Sequence, residues 1–348
     1  MHATTVGVDL AKHSFEVAFA DEPGRIRRRA KLSRRRFALE FANQPPCLIV
    51  MEACGSAHHW ARTLQRQGHE VRLLPAQYTR AYVRRNKTDA ADAAALIEAA
   101  RCADIHPVPV KTVDQQVIQH LHRLRQQYTR TRTSRINLLR GYLREYGVPL
   151  PTGLQRAIRE IPQVLAQGET SVPQALHPFV FEVLRELTDL QQRLQSIEAT
   201  LHRMSAEDAV VRELIKIPGV GELSATALRA AVGDVHRFAS GRHFASWLGL
   251  TAREHSSGER RRLGAISKQG DTYLRTLLVH GARSALLAAH RAQRAGRPLD
   301  RLRQWALVTQ QRCGTNKATV ALANKLARII WASWRHQRTF DGNWRTQC

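Results

Sequence analysis

The hydrophobic period of this sequence changes once, near Pro109, and that change limits the folds open to it. Before it, short apolar runs alternate with helix-like stretches. After it, apolar residues recur every three or four positions over long segments. The first pattern implies an α/β domain and the second implies long helices. The 348 residues are also too many for one minimal core, so two or three domains are expected.

Residues 5–20, TVGVDLAKHSFEVAFA, read as two strands, with Asp21-Glu22-Pro23-Gly24 as a turn between hairpin arms and a further strand pair after it. CLIVME, residues 47–52, reads as a buried central strand ending on a carboxylate. GSAHHWARTLQRQG then reads as a helix closed by Gly68, EVRLLPA as a strand, and the Ala-rich stretch from Thr88 as a helix. Further on, Val117, Leu121, Leu124 and Tyr128 keep helical spacing. Leu187, Leu190, Leu194, Ile197, Leu201 and Met204 step by three and four, the seam of a coiled coil. Pro149 to Pro178 reads as a loop-rich connection with a short helix. The layout predicts an α/β domain over 1–110, a helical coiled-coil hairpin over 111–208 and a mostly helical domain over 209–348. The hairpin either bridges the two globular domains or associates protomers.

Charge restricts the partners. Against 29 Asp and Glu stand 54 Lys and Arg, a formal net charge of +25, which points to a polyanion. Arg greatly outnumbers Lys, and the guanidinium fork suits phosphate better than a membrane surface. The run Arg25–Arg36 is the densest case, readable either as a solvated strand edge or as phosphate contacts. Five scattered cysteines without a CxxC pair indicate neither a disulfide framework nor a zinc site. With no spanning apolar run and charged residues in the first turns, a bacterial-type cytoplasm is expected.

Chemistry is signalled first by carboxylates. Asp9 interrupts an apolar strand, Glu52 ends a buried one, and Asp89 and Asp92 share a helical face. Acids placed in or beside a sheet are costly unless a cation compensates them. Two Mg²⁺ ions roughly 4 Å apart would do so and would clamp both oxygens of a phosphoryl transfer. Individually, Asp89 can cap a helix and Asp92 can pair with Arg85 or Lys87. A second signal is IPGVGELSATALRAAVG, residues 217–233, where Gly219 and Gly221 flank a turn opening a helix. It resembles a helix-hairpin-helix binder of nucleic-acid backbone, with close helix packing as the alternative. The third is Ser256-Ser257-Gly258 with Arg260, Arg261, Arg262, Lys268 and Arg275 following. By residue type alone a phosphate-binding loop is favoured over a serine nucleophile.

The blocks VGVDLAKHSFEV, PPCLIVMEACGSAHHWA, NKTDAADA, IPGVG, FASWLGLTAREHSSGE, LGAISKQGDTYLRTLL and ALANKLARIIW occur in the order found in a known family. Over nearly its whole length the chain resembles the DEDD-type insertion-sequence transposases, the family numbered one hundred and ten, and more closely its eleven-eleven subgroup. The resemblance implies a RuvC-like, RNase H-like N-terminal domain with Asp9, Glu52, Asp89 and Asp92 as its metal-binding tetrad. It implies that Ser257 is a catalytic serine forming a covalent phosphoserine link to DNA. It also implies a structured guide, or bridge, RNA pairing with donor and target DNA, and dimers joining into tetramers in which one protomer's serine completes another's tetrad. Ser256 adjoins Ser257, and acidic Glu259 follows where a small or basic residue is expected. The sequence therefore predicts a Mg²⁺-dependent transposase or recombinase. Its rivals are a structure-selective nuclease that uses water, and a non-catalytic nucleic-acid-binding regulator.

Overall fold

The structure, a computed structural model, describes residues 4–21, 24–82, 89–150, 153–166 and 171–343, with backbone alone for residues 89 and 90. The chain divides into two compact units, Met1–Thr112 and Val113–Cys348. The helical stretch predicted for 111–208 thus falls almost wholly in one unit with the helices that follow it.

The first unit holds strands β1 (Thr5–Leu10), β2 (Ser14–Ala20), β3 (Ile26–Ser33), β4 (Leu48–Glu52) and β5 (Glu70–Leu74). Its helices are α1 (Arg34–Ala42), α2 (Ala57–Arg66), the short α3 (Ala76–Thr79) and α4 (Asp89–Ala100). The strands form one mixed sheet in the order β3-β2-β1-β4-β5. β1, β2 and β3 pair antiparallel, while β4 lies parallel to both β1 and β5. Period-two alternation sends Val6, Val8, Phe15, Val17, Ile49 and Met51 to one face, where α1 and α2 cover them. Phe15, Phe37 and Trp60 meet edge to face there, with centroids 4.8–5.3 Å apart. The other face carries Ala18, Ala20, Val50 and Leu74 and is covered by α4 through Ala93, Leu96, Ile97 and Ala99. Where the sequence suggested a further strand pair after β2, a single edge strand, β3, follows. The Asp21–Gly24 turn joins β2 to β3, with Gly24 donating to the Asp21 carbonyl, while β1 and β2 are joined through Ala11–His13. Glu22 and Pro23 of that turn, and Arg85 and Lys87, lie outside the described residues.

One contact sets how close α4 can come. Gly7 of β1 lies so near the helix that a Cβ there would stand 2.1 Å from the Ala93 carbonyl oxygen and 2.9 Å from Ile97 Cγ1. Any side chain at this position would lift α4 off the sheet.

The second unit begins with α5 (Val113–Glu145), α6 (Leu154–Ala166) and α7 (His177–Glu207). α5 and α7 run antiparallel, tied by Arg125–Glu198, Arg132–Gln191 and Arg135–Glu186. The predicted seam of α7 is buried from Leu187 to Leu201 and extends back to Val180 and Leu184. Beyond Leu201 it ends, and buried Ser205 rather than Met204 continues the inward face. Helix α6 interrupts the predicted proline-rich connection and packs Ala157, Ile161 and Leu165 on Ile136, Leu139 and Leu143. On the first half of α5 the predicted apolar face is not a seam: Val117 and Leu124 are exposed. What that half buries is His122, because it docks on α9 rather than on a facing leucine row.

The remaining elements are α8 (Ala209–Ile215), α9 (Glu222–Val232), α10 (Gly241–Trp247), a β6–β7 hairpin (Ala252–Glu254 and Leu263–Ile266), α11 (Thr272–Arg294), α12 (Arg301–Cys313) and α13 (Thr315–His336). They share one core built around Leu228, Phe244, Leu278, Leu322 and Leu326. The Ser256-Ser257-Gly258 stretch lies in the loop between these two short strands, which the sequence had not suggested. Among the described residues no helix is long and apolar enough to cross a membrane.

His122 pins α5 to α9 and α11 with both ring nitrogens. The Thr226 hydroxyl donates to the Glu222 carbonyl at 2.6 Å, so at 3.0 Å from His122 Nε2 it accepts that N–H. Nδ1 is left to accept from the Tyr273 hydroxyl at 2.9 Å. Burial, helped by Arg125, pushes the imidazole down to about 4 from its ordinary 6.5.

Two outcomes are expected. Gly7→Val destabilises the first unit by about 2–3 kcal/mol in denaturant unfolding, whereas Gly264→Ala, whose Cβ would meet nothing nearer than 3.9 Å, changes little. For His122 the folded value lies below the unfolded one, so the unfolded chain takes up the proton first on acidification. Stability is then complete above pH 6.5 and falls toward pH 4 by up to about 1.4 kcal/mol per pH unit. His122→Gln flattens that part of the curve.

Candidate functional site

Parallel register places the first two predicted acids together. Val8 of β1 stands beside Met51 of β4, so the next residues, Asp9 and Glu52, emerge at neighbouring strand ends. Both share the parity of Gly7 and Val50 and so face α4. Asp92 immediately precedes Ala93, the residue pressed on Gly7, which puts the N-terminal turn of α4 at the same end of the sheet. One Asp92 carboxylate oxygen, Oδ1, is buried without a hydrogen-bond partner. Glu52 Oε2 is at 3.5 Å from the Thr79 hydroxyl, which also donates to the Ala76 carbonyl at 3.1 Å. Asp89 opens α4, and its side chain lies outside the described residues. Among the described residues no three His, Cys, Asp or Glu side chains are gathered tightly enough to hold a metal ion.

Sequence reasoning missed three residues around these acids. Glu16 of β2 is the register partner of Asp9, and Lys31 of β3 is the partner of Glu16, with Nζ 3.4 Å from its carboxylate. A single row across the sheet therefore reads Lys31, Glu16, Asp9, Glu52. The parity of Glu16 with Ala18 and Ala20 was the available signal. Cys54 is the third: burial, then the charges of Glu52 and Asp9, push its thiol above the ordinary range.

The second unit carries the predicted basic and serine positions. Gly219, at φ +88°, touches the backbone of Gly281 in α11, and a Cβ at either glycine would strike the other's carbonyl oxygen at 2.6 or 1.9 Å. Close packing therefore accounts for Gly219. Gly221 caps α9 with open space around it, at the edge of a cleft of about 750 Å³. The Ser256 hydroxyl is engaged, donating to Glu254 Oε1 at 2.7 Å and accepting from the Arg262 N–H at 3.2 Å. That bond first, and Arg261 second, hold the Glu254 carboxyl below its usual range. Ser257 pairs through its backbone with Arg260 around the tip turn, where Gly258 has φ +56°. Its hydroxyl is exposed and makes no hydrogen bond among the described residues.

The basic set divides. Arg260, Arg262 and Lys268 are exposed, and Arg261 is bound to Glu254 at 3.2 Å. Arg275, expected on nucleic acid, is instead buried. It donates to the Leu248 and Gln269 carbonyls and to the Thr272 hydroxyl, each at 3.2 Å. Its fork locks the crossing of Gly249 and Gly270 at the base of the hairpin, where either Cβ would meet backbone oxygen at 1.9–2.1 Å. An arginine spent on three internal acceptors is a structural one.

A mixed sheet edged with carboxylates is thus joined in one chain to a helical unit that carries exposed arginines, a combination suited to an enzyme acting on nucleic acid. The DEDD transposase profile of the IS110 group matches residues 6–148, and the profile described as Transposase IS116/IS110/IS902 family matches residues 211–297. A probable family 20 transposase of Pseudomonas aeruginosa is 40% identical over 333 residues, 95% of this chain and 97% of the relative. The transposase for insertion sequence element IS1111A of Coxiella burnetii is 36% identical over 335 residues, 96% and 90% of the two chains. The transposase for IS1328 of Yersinia enterocolitica is 34% identical over 334 residues, 95% and 96%. The chain belongs to the IS110/IS116/IS902 family of transposases.

Arg275→Lys, which loses the fork, is expected to destabilise the second unit by about 2 kcal/mol. The slope of log binding constant against log salt for DNA should stay unchanged, whereas loss of a phosphate contact would lower it by about one.

Proposed function

We propose that the chain cuts and rejoins DNA strands at insertion-sequence ends by metal-assisted transesterification, with Ser257 as nucleophile and the carboxylates of an RNase H-like first unit as the metal site. The observation that carries the metal reading is the placement of Asp9 and Glu52 at neighbouring strand ends on the face covered by α4, whose Asp92 has an orphaned buried oxygen. The strand order β3-β2-β1-β4-β5, antiparallel on one side of β1 and parallel on the other, supports the RNase H-like, RuvC-like assignment.

Among the described residues no three of these acid side chains are drawn around one point. The chemistry of the donor set supports the metal reading: it is all oxygen and suits a hard divalent cation such as Mg²⁺. Asp9, Glu52 and Asp92 would hold it, with Asp89 one helical turn before Asp92. When bound, a pair of such ions would polarise the scissile phosphate and steady the charge that develops on it.

The serine assignment rests on the difference between neighbours. Ser256 has given its hydrogen to Glu254, whereas the Ser257 hydroxyl is free at the hairpin tip. Ser257 Oγ gives up its proton and bonds to phosphorus. The bond from phosphorus to one bridging oxygen breaks, and that oxygen leaves as a hydroxyl. A hydroxyl of another DNA end then attacks the phosphoserine, which restores the serine and seals the strand. Arg260, Arg262 and Lys268 around the tip, and Gly221 at the start of α9, are placed for backbone phosphates. A structured RNA as guide, and dimers that join into tetramers, complete the reading. The net charge of +25 and the location of Ser257 and the acids in separate units support them.

Covalent trapping tests this reading. Protein, Mg²⁺ and labelled element-junction DNA, with and without RNA from beside the gene, are denatured and resolved by size. A labelled adduct is expected from the unaltered chain and from Ser256→Ala, and none from Ser257→Ala, Asp9→Asn or Glu52→Gln. Undiminished Mg²⁺-dependent cleavage by Ser257→Ala, with no adduct from any variant, would instead establish a nuclease that uses water.

A further inference from the structure

Between the end of α11 and the start of α12 lies a cavity of about 590 Å³ walled by Arg291, Arg297 and Arg303 and floored by Ala288, Ala292 and Pro298. We propose that this cavity is a binding pocket for one unpaired nucleotide of a nucleic-acid strand, its phosphate held by the arginines and its base laid on the apolar floor.

Local structure explains two of the arginines only in part and Arg297 not at all. Arg291 sits in the last turn of α11, where positive charge suits the helix dipole, but Arg297 lies beyond the helix. Arg303 lies in the first turn of α12, where a cation opposes the dipole. Asp300 compensates it, capping the Arg303 N–H at 2.7 Å and pairing with the guanidinium at 3.4 Å. The guanidinium groups of Arg291 and Arg297 have no acceptor among the described residues. Backbone groups nearby are already paired and do not compete. The Arg291, Ala292 and Gln293 carbonyls accept from Ala295, Arg297 and Gly296, and the Arg301 and Leu302 N–H groups donate to Asn343 and Gly342. The bond from Arg297 N–H to Ala292, with Gly296 at φ +64°, fixes the turn that sets Arg297 opposite Arg291.

Shape selects an unpaired nucleotide. The backbone of a duplex presents phosphates to a surface and keeps its bases stacked, leaving an alanine and proline floor unused. The volume falls within the range of small-ligand pockets, and guanidinium planes also stack on bases. Among the described residues the lining is arginine, alanine and proline, groups that engage phosphate and base alike in DNA and RNA strands. The inference rests on the chain working on nucleic-acid strands and is independent of the serine and the metal.

The test is fluorescence anisotropy of the full chain in EDTA with labelled 20-nucleotide oligo(dT), oligo(rU) and a 20-base-pair duplex. Arg291→Ala/Arg297→Ala is expected to weaken both single strands about tenfold and to lower their salt slope by about one to two, with duplex binding changed less than about twofold. Ala292→Trp fills the floor without altering charge and should weaken single strands about fivefold. Ala288→Trp, on an exposed position of the same floor, serves if Ala292→Trp melts early by circular dichroism. Equal losses on single strands and duplex, or full single-strand binding by the folded tryptophan variant, would overturn the pocket. Failure of the unaltered chain to bind any of the three would overturn the nucleic-acid reading itself.

Discussion

The contact between Gly7 and the Ala93 carbonyl sets how closely α4 lies on the sheet of the first unit. A strand in a covered sheet ordinarily offers a helix its side chains, and here the helix rests on backbone. That lowers the first turn of α4 toward the ends of β1 and β4, the end of the sheet that carries Asp9 and Glu52. The catalytic reading depends on a residue with no chemistry of its own, because every alternative at position 7 would separate Asp92 from Asp9 and Glu52. The second unit repeats the device. Gly219 against Gly281 seats the loop before α9, and Gly249 and Gly270 let the base of the hairpin cross under the Arg275 fork.

Arg275 shows why a surplus of positive charge does not translate residue by residue into contacts. In sequence it follows Arg260, Arg261, Arg262 and Lys268 and looks like one more phosphate ligand. Folded, its donors close a backbone crossing, while Arg260, Arg262 and Lys268 stay exposed. Arg261, though exposed, also pairs with Glu254, the carboxylate that accepts from Ser256. The same carboxylate thereby separates two adjacent serines: it occupies one hydroxyl and leaves the next free.

What the sequence disclosed follows from how local each signal was. Strands β1, β4 and β5, helices α2 and α4, and the α7 seam were legible because period and flanking turns are local properties. Asp9 and Glu52 were legible because a carboxylate inside or ending an apolar strand conflicts with its surroundings. The hairpin around Ser257 was not, since its strands are exposed and lack alternation. Nor was the inward His122, whose partners Thr226 and Tyr273 are far away in sequence. Glu16 was missed because its meaning arises only from pairing: alone it is a polar residue on a strand, and in register it is the neighbour of Asp9.

That register carries an electrostatic consequence. Directly opposed residues on paired strands have Cβ atoms about 5 Å apart, and two like charges at that distance repel by about 1–3 kcal/mol between fully hydrated and surface-like screening. Glu16 stands directly opposite Asp9, and Lys31, one strand further out, pairs with Glu16. Beyond Asp9 the row passes to Glu52 at the end of β4, whose register partner on β5 is the apolar Leu74, and Asp92 stands in the first turn of α4, the helix that covers this face. A row that begins with a lysine and gathers carboxylates toward the helix is a charge distribution suited to a bound cation.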